Sequence, residues 1–330
     1  MLVDAIARML AAKPNPPRMG ELPDRALARE RWREFGDLGV LMLAMPGAGD
    51  DVGTMTDWAL LLETAGGALA REPIFGAGIV ARDLLAGGGE ATAQLLEGLL
   101  AGEQIVAPSM SGSIVARQHD GRWLLNGHDP LIVSAGLADR LIVLASDDAG
   151  TARLFLVDPR DLGSGIDGAR LIDGSWGAAI TFADTPAEFF CTSDPALVAG
   201  AIARGRLAAT AELLGVMGSA VKLTAEHLKT RVQFGQPLSE QQALRHLLAD
   251  MVVATEMARS HLHVGLASLE QEGEAAFSLI AATRRAVGEL AITSCEQAIQ
   301  LHGGMGMTEE HVIGHHLKRA MVLAAIYPDR

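Results

Sequence analysis

Cysteine, aromatic residues and positive charge are all scarce in this sequence. Only two cysteines, Cys191 and Cys295, occur in 330 residues. They lie far apart and form no Cys-x-x-Cys pattern, which argues against a disulfide framework or a thiolate zinc site and fits a reducing compartment. Aromatics are 4% of the chain, with a single tyrosine, Tyr327. That composition favours close-packed Ala- and Leu-rich helices over an aromatic-rich sandwich. Lys and Arg number 27 against 40 Asp and Glu, a formal net charge of -13. A nucleic-acid or anionic-membrane surface is thereby disfavoured, although a local basic groove for one phosphorylated ligand survives such a total. No uninterrupted apolar run approaches the roughly 20 residues of a membrane span. The opening residues, with an early Asp4 and apolar residues at helical spacing, read as a helix rather than a secretory signal. A cytoplasmic location is expected.

What is present divides into three stretches. A chain of this length exceeds one hydrophobic core. Residues 1–102 have helical periodicity, as in Asp24 to Leu38 and Thr56 to Leu69, with loops at Lys13-Pro-Asn-Pro-Pro, Met45-Pro-Gly-Ala-Gly and Gly87-Gly-Gly. Residues 103–192 carry short β-rich runs at Arg122-Trp-Leu-Leu-Asn-Gly-His, Leu141-Ile-Val-Leu-Ala-Ser and Ala152-Arg-Leu-Phe-Leu-Val. Asp120-Gly and Asn126-Gly are hairpin signals among them, and Asp147-Asp-Ala-Gly is a further turn. Residues 193–330 return to helix, broken near Phe234-Gly-Gln-Pro, Gln271-Glu-Gly and Gly303-Gly-Met-Gly, which predicts a four-helix bundle. The fold class expected is mostly α with a small β domain.

Three features of the last third carry chemistry. Arg231-Val-Gln-Phe-Gly-Gln-Pro offers a guanidinium whose fixed parallel donors suit phosphate oxygens in a way a lysine does not. Its bland alternative is a helix-helix turn with Phe234 in the core and Arg231 solvated. Gln300-Leu-His-Gly-Gly-Met-Gly offers bare backbone for close approach of a ligand; singly, it reads equally well as a glycine-rich connection. Thr308, followed by Glu309 and Glu310, reads as the cap and first-turn acids of a last helix. Arg206 reads as a helix-start arginine.

These segments resemble the acyl-CoA dehydrogenase family in order and spacing. The resemblance spans essentially the whole chain, while its specific motifs lie after Ala201. It implies an N-terminal helical domain, a middle β-barrel-like domain and a C-terminal four-helix bundle. It also implies FAD held between the β domain of one subunit and the bundle of its neighbour. Carried over residue by residue, it assigns Arg231, Gln233, Phe234 and Gln242 to the flavin pyrophosphate region. Gln300, Gly303, Gly304 and Gly306 are assigned to the adenosine diphosphate of a neighbour's flavin, and Arg206 to a place beside the catalytic carboxylate. An acyl-CoA substrate and an electron-transfer flavoprotein as acceptor follow from the same likeness.

The chain also departs from the pattern. The family's base is a Glu shortly after the last helix, where this sequence reads Ala325-Ile-Tyr-Pro-Asp-Arg, with Asp329 as a weak stand-in. In a minority of members it is a Glu immediately before the helix-start Arg, where this chain has Gly205. The flavin-facing loop of the β domain is replaced by Ala107-Pro-Ser-Met-Ser-Gly-Ser. The strand beside the flavin ring reads Leu131-Ile-Val-Ser, with Val133 in place of a hydroxyl residue. What is kept acts on a neighbour's flavin, and what is missing would act on the chain's own. The expectation is therefore a short subunit resembling those of bacterial heteromeric acyl-CoA dehydrogenases, completing a related partner's flavin sites in a heterotetramer. A catalytically silent structural subunit and a self-associating homodimer with an atypical base are the alternatives.

Other constellations are weaker. His311 and His315 stand four apart on the expected last helix but lack a third ligand, so no metal is expected. His261 and His263 fall on different helix faces. Ser109-Met-Ser-Gly-Ser and Gly87-Gly-Gly read as loops and not as a nucleophile elbow or phosphate loop.

Overall fold

The computed structural model describes residues 2–12, 24–47, 52–192, 194–271 and 273–326. Helices α1 (Leu2–Ala12), α2 (Arg25–Asp37), α3 (Met55–Gly67), α4 (Arg82–Ala86) and α5 (Ala93–Leu100) come first. Strands β1 (Val106–His119), β2 (Arg122–Val133), β3 (Arg140–Asp147), β4 (Ala152–Val157), β5 (Ile166–Arg170) and β6 (Trp176–Thr192) follow. The last stretch holds α6 (Pro195–Thr230), the short strands β7 (Val232–Gln233) and β8 (Gln236–Pro237), α7 (Gln242–Leu269), α8 (Glu274–His302) and α9 (Ile313–Ala325). Their contacts divide into two units. One comprises Met1–Glu21, Met55–Ala70 and Arg206–Arg330, and the other Leu22–Thr54 and Arg71–Gly205.

The strand-bearing unit is built on a six-stranded sheet in the order β2-β1-β3-β4-β6-β5, with a further β2–β6 pairing that closes it. Asp120 (φ +48°) and Gly121 (φ +77°) turn β1 into β2, the two-residue loop that the Asp-Gly signal predicts. Asn126-Gly, by contrast, is not a turn. It lies within β2, where the pairing to β6 shifts register between Leu125 and Gly127, so the glycine serves a bulge. The Ser109–Ser113 run is likewise inside β1, at the register shift against β3, and is not a free loop. Inward residues Ile114, Leu125, Leu141, Val143, Phe155, Ile180 and Phe182 fill the core.

Helix α2 begins at Asp24, whose carboxylate accepts from the amides of Ala26 and Leu27, a regular N-cap. It docks through Trp32 Nε1, which donates to Gln104 O at 2.9 Å, and through the buried Arg31–Glu72 pair at 2.9 Å. A six-residue π-helix, Gly76–Ala81, wholly buried, leads into α4. There the fully buried Arg82 donates to the carbonyls of Leu41 and Leu43 and to Asp83, and Arg204 Nε pairs with Asp83 at 2.7 Å. Burial pulls the Arg82 guanidinium below its ordinary range, and Asp83 opposes that shift.

In the other unit, α3 and α6 cross at backbone contact. A Cβ on Gly66 would lie 2.0 Å from Glu212 O, and one on Gly215 would lie 1.8 Å from Glu63 O. Helix α7 joins α3 through Arg259 and Glu63, at 3.0 and 3.1 Å. Helix α9 joins α6 through the buried Arg319–Glu212 pair, Nε to Oε1 at 2.7 Å. Arg284 of α8 donates to Leu323 O at 3.1 Å and to Ala324 O, closing the C-terminus of α9 with a cation, where the helix dipole favours one. The sequence gives no membrane span, yet α6 is long and apolar enough to pass a length-and-hydropathy test; 72% of that window is buried inside the fold, as in a core helix.

The crossing supplies a direct test. Gly215→Ala should destabilise the protein by about 3 kcal/mol, because the clash is with backbone. Gly218→Ala, where nothing lies within 4 Å of the added carbon, should be neutral or stabilising by up to about 1 kcal/mol. Urea unfolding of both variants measures the difference.

Candidate functional site

Helix α6 ends at Thr230, and the chain turns back in the smallest hairpin available. The Arg231 amide donates to His227 O and the Arg231 carbonyl accepts from the Leu238 amide, both at 2.9 Å. Val232 pairs with Pro237 and Gln233 with Gln236. Phe234 (φ +54°) and Gly235 (φ +81°) form the two-residue tip. Phe234 is 89% exposed, so it is not the core residue of the bland alternative. A bulky side chain held in the left-handed region is costly unless something uses it. Arg231, Gln233 and Gln242 are exposed as well, and Gln242 opens α7.

The glycine loop starts where α8 stops. Gly303 (φ +62°) ends the helix. At Gly303 and Gly304 an added Cβ would meet nothing within 4 Å, which leaves bare, exposed backbone. Gly306 differs. It is buried, and a Cβ there would stand 2.6 Å from Ile299 O and 3.0 Å from the His302 Cβ, so this glycine closes the loop on its own helix.

A histidine ladder joins the two motifs. His227, one turn before Arg231, stacks on His302, the residue before Gly303, with centroids 4.4 Å apart, and His302 also meets His311, with centroids 4.7 Å apart. Burial, then His302, holds the His227 and His311 imidazoles below their ordinary range, with Arg231 adding to the effect at His227. The sequence reading passed over His227 and gave His302 no role. The i, i+4 spacing of His227 and Arg231 and the histidine inside Gln300-Leu-His-Gly were the available signals.

Three expectations need correction. Arg206 does not start a helix: α6 begins at Pro195, because the Ala- and Leu-rich stretch after Pro195 is already helical. Its carbonyl accepts the Thr210 hydroxyl at 2.8 Å. At 1.5 Å rise per residue, Arg206 stands roughly 36 Å along the helix from Arg231, so the two do not share a site on one chain. Thr308 does not cap α9. Its hydroxyl donates to Met305 O at 3.0 Å and the helix begins at Ile313, so Glu309 and Glu310 precede it. His311 therefore also precedes α9 and does not share a helix face with the buried His315. Among the described residues no group of three His, Cys, Asp or Glu is placed to hold a metal ion. Asp329 lies outside the described residues.

Residues 196–327 match the model of the acyl-CoA dehydrogenase C-terminal domain. The chain is 29% identical over 328 residues to acyl-CoA dehydrogenase IpdE2 of Mycobacterium tuberculosis, covering 97% of this chain and 90% of that protein. The chain is thus similar to acyl-CoA dehydrogenases along nearly its whole length, and its C-terminal stretch matches the model of their C-terminal domain. It is also 29% identical over 222 residues to the short-chain specific acyl-CoA dehydrogenase of Megasphaera elsdenii, covering 64% of this chain and 58% of that protein. The ChsE4-ChsE5 complex from Mycobacterium tuberculosis shares its fold, with TM-score 0.83, 22% identity and coverage of 98% of this chain and 91% of that chain. The family's N-terminal helices, β sheet and C-terminal helices correspond to the elements described above.

Burial around the site has a pH consequence. His316 is 1% exposed, with Nδ1 donating to Val312 O and Nε2 accepting from Ser219 Oγ, both at 3.0 Å. Burial pushes it down to about 4. A histidine depressed in the folded state stabilises fully above its unfolded value of about 6.5, and that stability is lost as pH falls toward 4. Urea stability should therefore drop by about 2 kcal/mol between pH 7 and 4.5 from this group, and His316→Leu should remove that part of the slope.

Proposed function

We propose that this chain is a subunit of an FAD-dependent acyl-CoA dehydrogenase, oxidising an acyl-CoA thioester to the 2-enoyl-CoA, and that it completes the flavin site of a related partner subunit. The observation that carries the reading is the His227–His302 stack, which brings the end of α6, followed by the exposed Arg231 and Phe234, to the end of α8, followed by the open backbone of Gly303 and Gly304. A guanidinium beside unobstructed glycine backbone suits a diphosphate, and an exposed aromatic suits a flat heterocycle or an apolar partner surface. FAD, when bound, supplies the hydride acceptor of the reaction.

In this reading Arg231 neutralises and orients the diphosphate, and Gln233, Gln242 and Gln300 supply exposed amides to the same ligand region. Phe234 covers it, and Gly303 and Gly304 allow close approach. The β-domain side favours a partner's flavin over the chain's own. The Ser109 hydroxyl donates to the buried Asp129 at 2.6 Å, those of Ser111 and Ser113 bond each other at 2.9 Å, and that of Ser113 also meets His128 O at 2.9 Å. These hydroxyls are engaged within the sheet, next to a carboxylate that repels electron-rich ligand atoms. Val133 adds no donor, and Gly205 provides no base beside Arg206. A partner carrying the base and the ring-binding strand restores both. The heteromeric ChsE4-ChsE5 complex is one precedent for pairing in this fold. An electron-transfer flavoprotein is the proposed acceptor, and a cytoplasmic location is proposed.

Co-expression with a related subunit that carries a Glu at the base position tests the reading. The complex should retain flavin and dehydrogenate acyl-CoA, and Arg231→Ala in this chain should weaken flavin retention by about tenfold or more, the loss of one charge-assisted contact. Unchanged flavin and turnover would make the chain a silent structural subunit. Stoichiometric flavin and turnover by the isolated chain would make it self-sufficient.

A further inference from the structure

The ladder sits where an anion ought to be unwelcome. His227 lies in the last turn of α6 and His302 is the last residue of α8, so two helix C-termini, each with partial negative charge, converge beside Arg231 and Gly303. A diphosphate at that place needs more positive charge than one arginine supplies. His302 is 5% exposed, and its Nδ1 lies 2.8 Å from Ala298 O. A carbonyl only accepts, so Nδ1 carries the ring proton and Nε2 is the vacant, proton-accepting nitrogen. The ring is stacked on His227 and tilted against His311.

We propose that His302 is a positioning residue for a diphosphate bound at Arg231 and Gly303-Gly304, and that its Nε2 takes up one proton from solvent when the diphosphate binds. The proposal rests on the reading of this surface as a nucleotide-diphosphate site and names how that site is charged. The ladder holds the Arg231 turn and the glycine loop in register. Protonating its central ring places a cation between the two helix ends, where both their dipoles and the incoming anion stabilise it. Arg231 acts on His227, and His316 of α9, with His315 beside it, faces His302 and His311. Burial, then repulsion from the neighbouring rings and, at His227, from Arg231, holds the two flanking imidazoles, His227 and His311, below their ordinary range, so neither offers the anion a ready cation. Binding therefore draws the proton in.

ADP-ribose is the probe, since its diphosphate diester does not titrate near neutrality. Calorimetry on the full chain in two buffers of different ionisation enthalpy should give close to one proton taken up per ADP-ribose near pH 7. Affinity should rise by up to about tenfold per unit as pH falls from 7.5 toward 6, the linkage limit for one proton. His302→Phe keeps an aromatic ring in the stack and should bind ADP-ribose with no proton uptake and a flat pH profile. Binding by the wild type without proton uptake, or an unchanged profile in His302→Phe, would overturn the ladder's role and leave the diphosphate reading standing. No ADP-ribose binding to the wild type at any pH, alone or with the partner subunit, would overturn both.

Discussion

Backbone contact between α3 and α6 is the constraint on which the helical unit depends. Two glycines on facing helices, Gly66 and Gly215, let carbonyls approach to distances no side chain allows, and the rest of the unit is arranged around that crossing. Glu63, whose carbonyl meets Gly215, sends its carboxylate to Arg259 of α7. Glu212, whose carbonyl meets Gly66, sends its carboxylate to Arg319 of α9. Each acid is thus part of the contact through its backbone and extends it through its side chain. Removing one partner of the buried Glu212–Arg319 pair leaves the other charge uncompensated, at about 3–5 kcal/mol, whereas the half-exposed Glu63–Arg259 pair contributes about 1 kcal/mol or less. The end of α6, and with it Arg231, is placed by this frame.

Much of the architecture was legible because local chemistry and tertiary structure agree. Asp120-Gly produced its hairpin, the breaks at Phe234-Gly and Gly303-Gly produced turns, and period-two runs produced strands. Failures came where a local signal had a second solution. Asn-Gly makes a two-residue turn, but a glycine also serves a bulge, and pairing of β2 to both β1 and β6 selected the bulge. Thr-Glu-Glu makes a helix start, but the chain leaving Gly306 must first pass His311 against His302, so the helix waits until Ile313. Arg206 looked like a helix start because the run after it is so regular; the residues before it continue the same helix.

The site was half legible for a similar reason. Arg231, Phe234 and the glycines are recognisable by type and spacing, because their chemistry is local. What joins them is not local: His227 and His302 are 75 positions apart and meet only because α6 and α8 end at the same place. Nor could sequence distinguish the glycines. Gly306 is needed by the fold, packed on Ile299 and His302, whereas Gly303 and Gly304 leave space that the fold does not use. Unused space beside an exposed arginine is the better mark of a ligand surface.

The length of α6 decides how the two arginines relate. The unbroken helix from Arg206 to Thr230 keeps Arg206, inside α6, about seven turns from Arg231, just past its end, so neither a rotamer change nor a loop movement brings them to one ligand region. The two arginines therefore stand in two separate places, and it is the exposed end of α6 that meets the glycine loop through the His227–His302 stack. The residue before Arg206 is Gly205, so that one position holds no carboxylate. The separation of the two arginines follows from the helix itself, and it is on this separation that the proposed division between the groups that hold the diphosphate and the base rests.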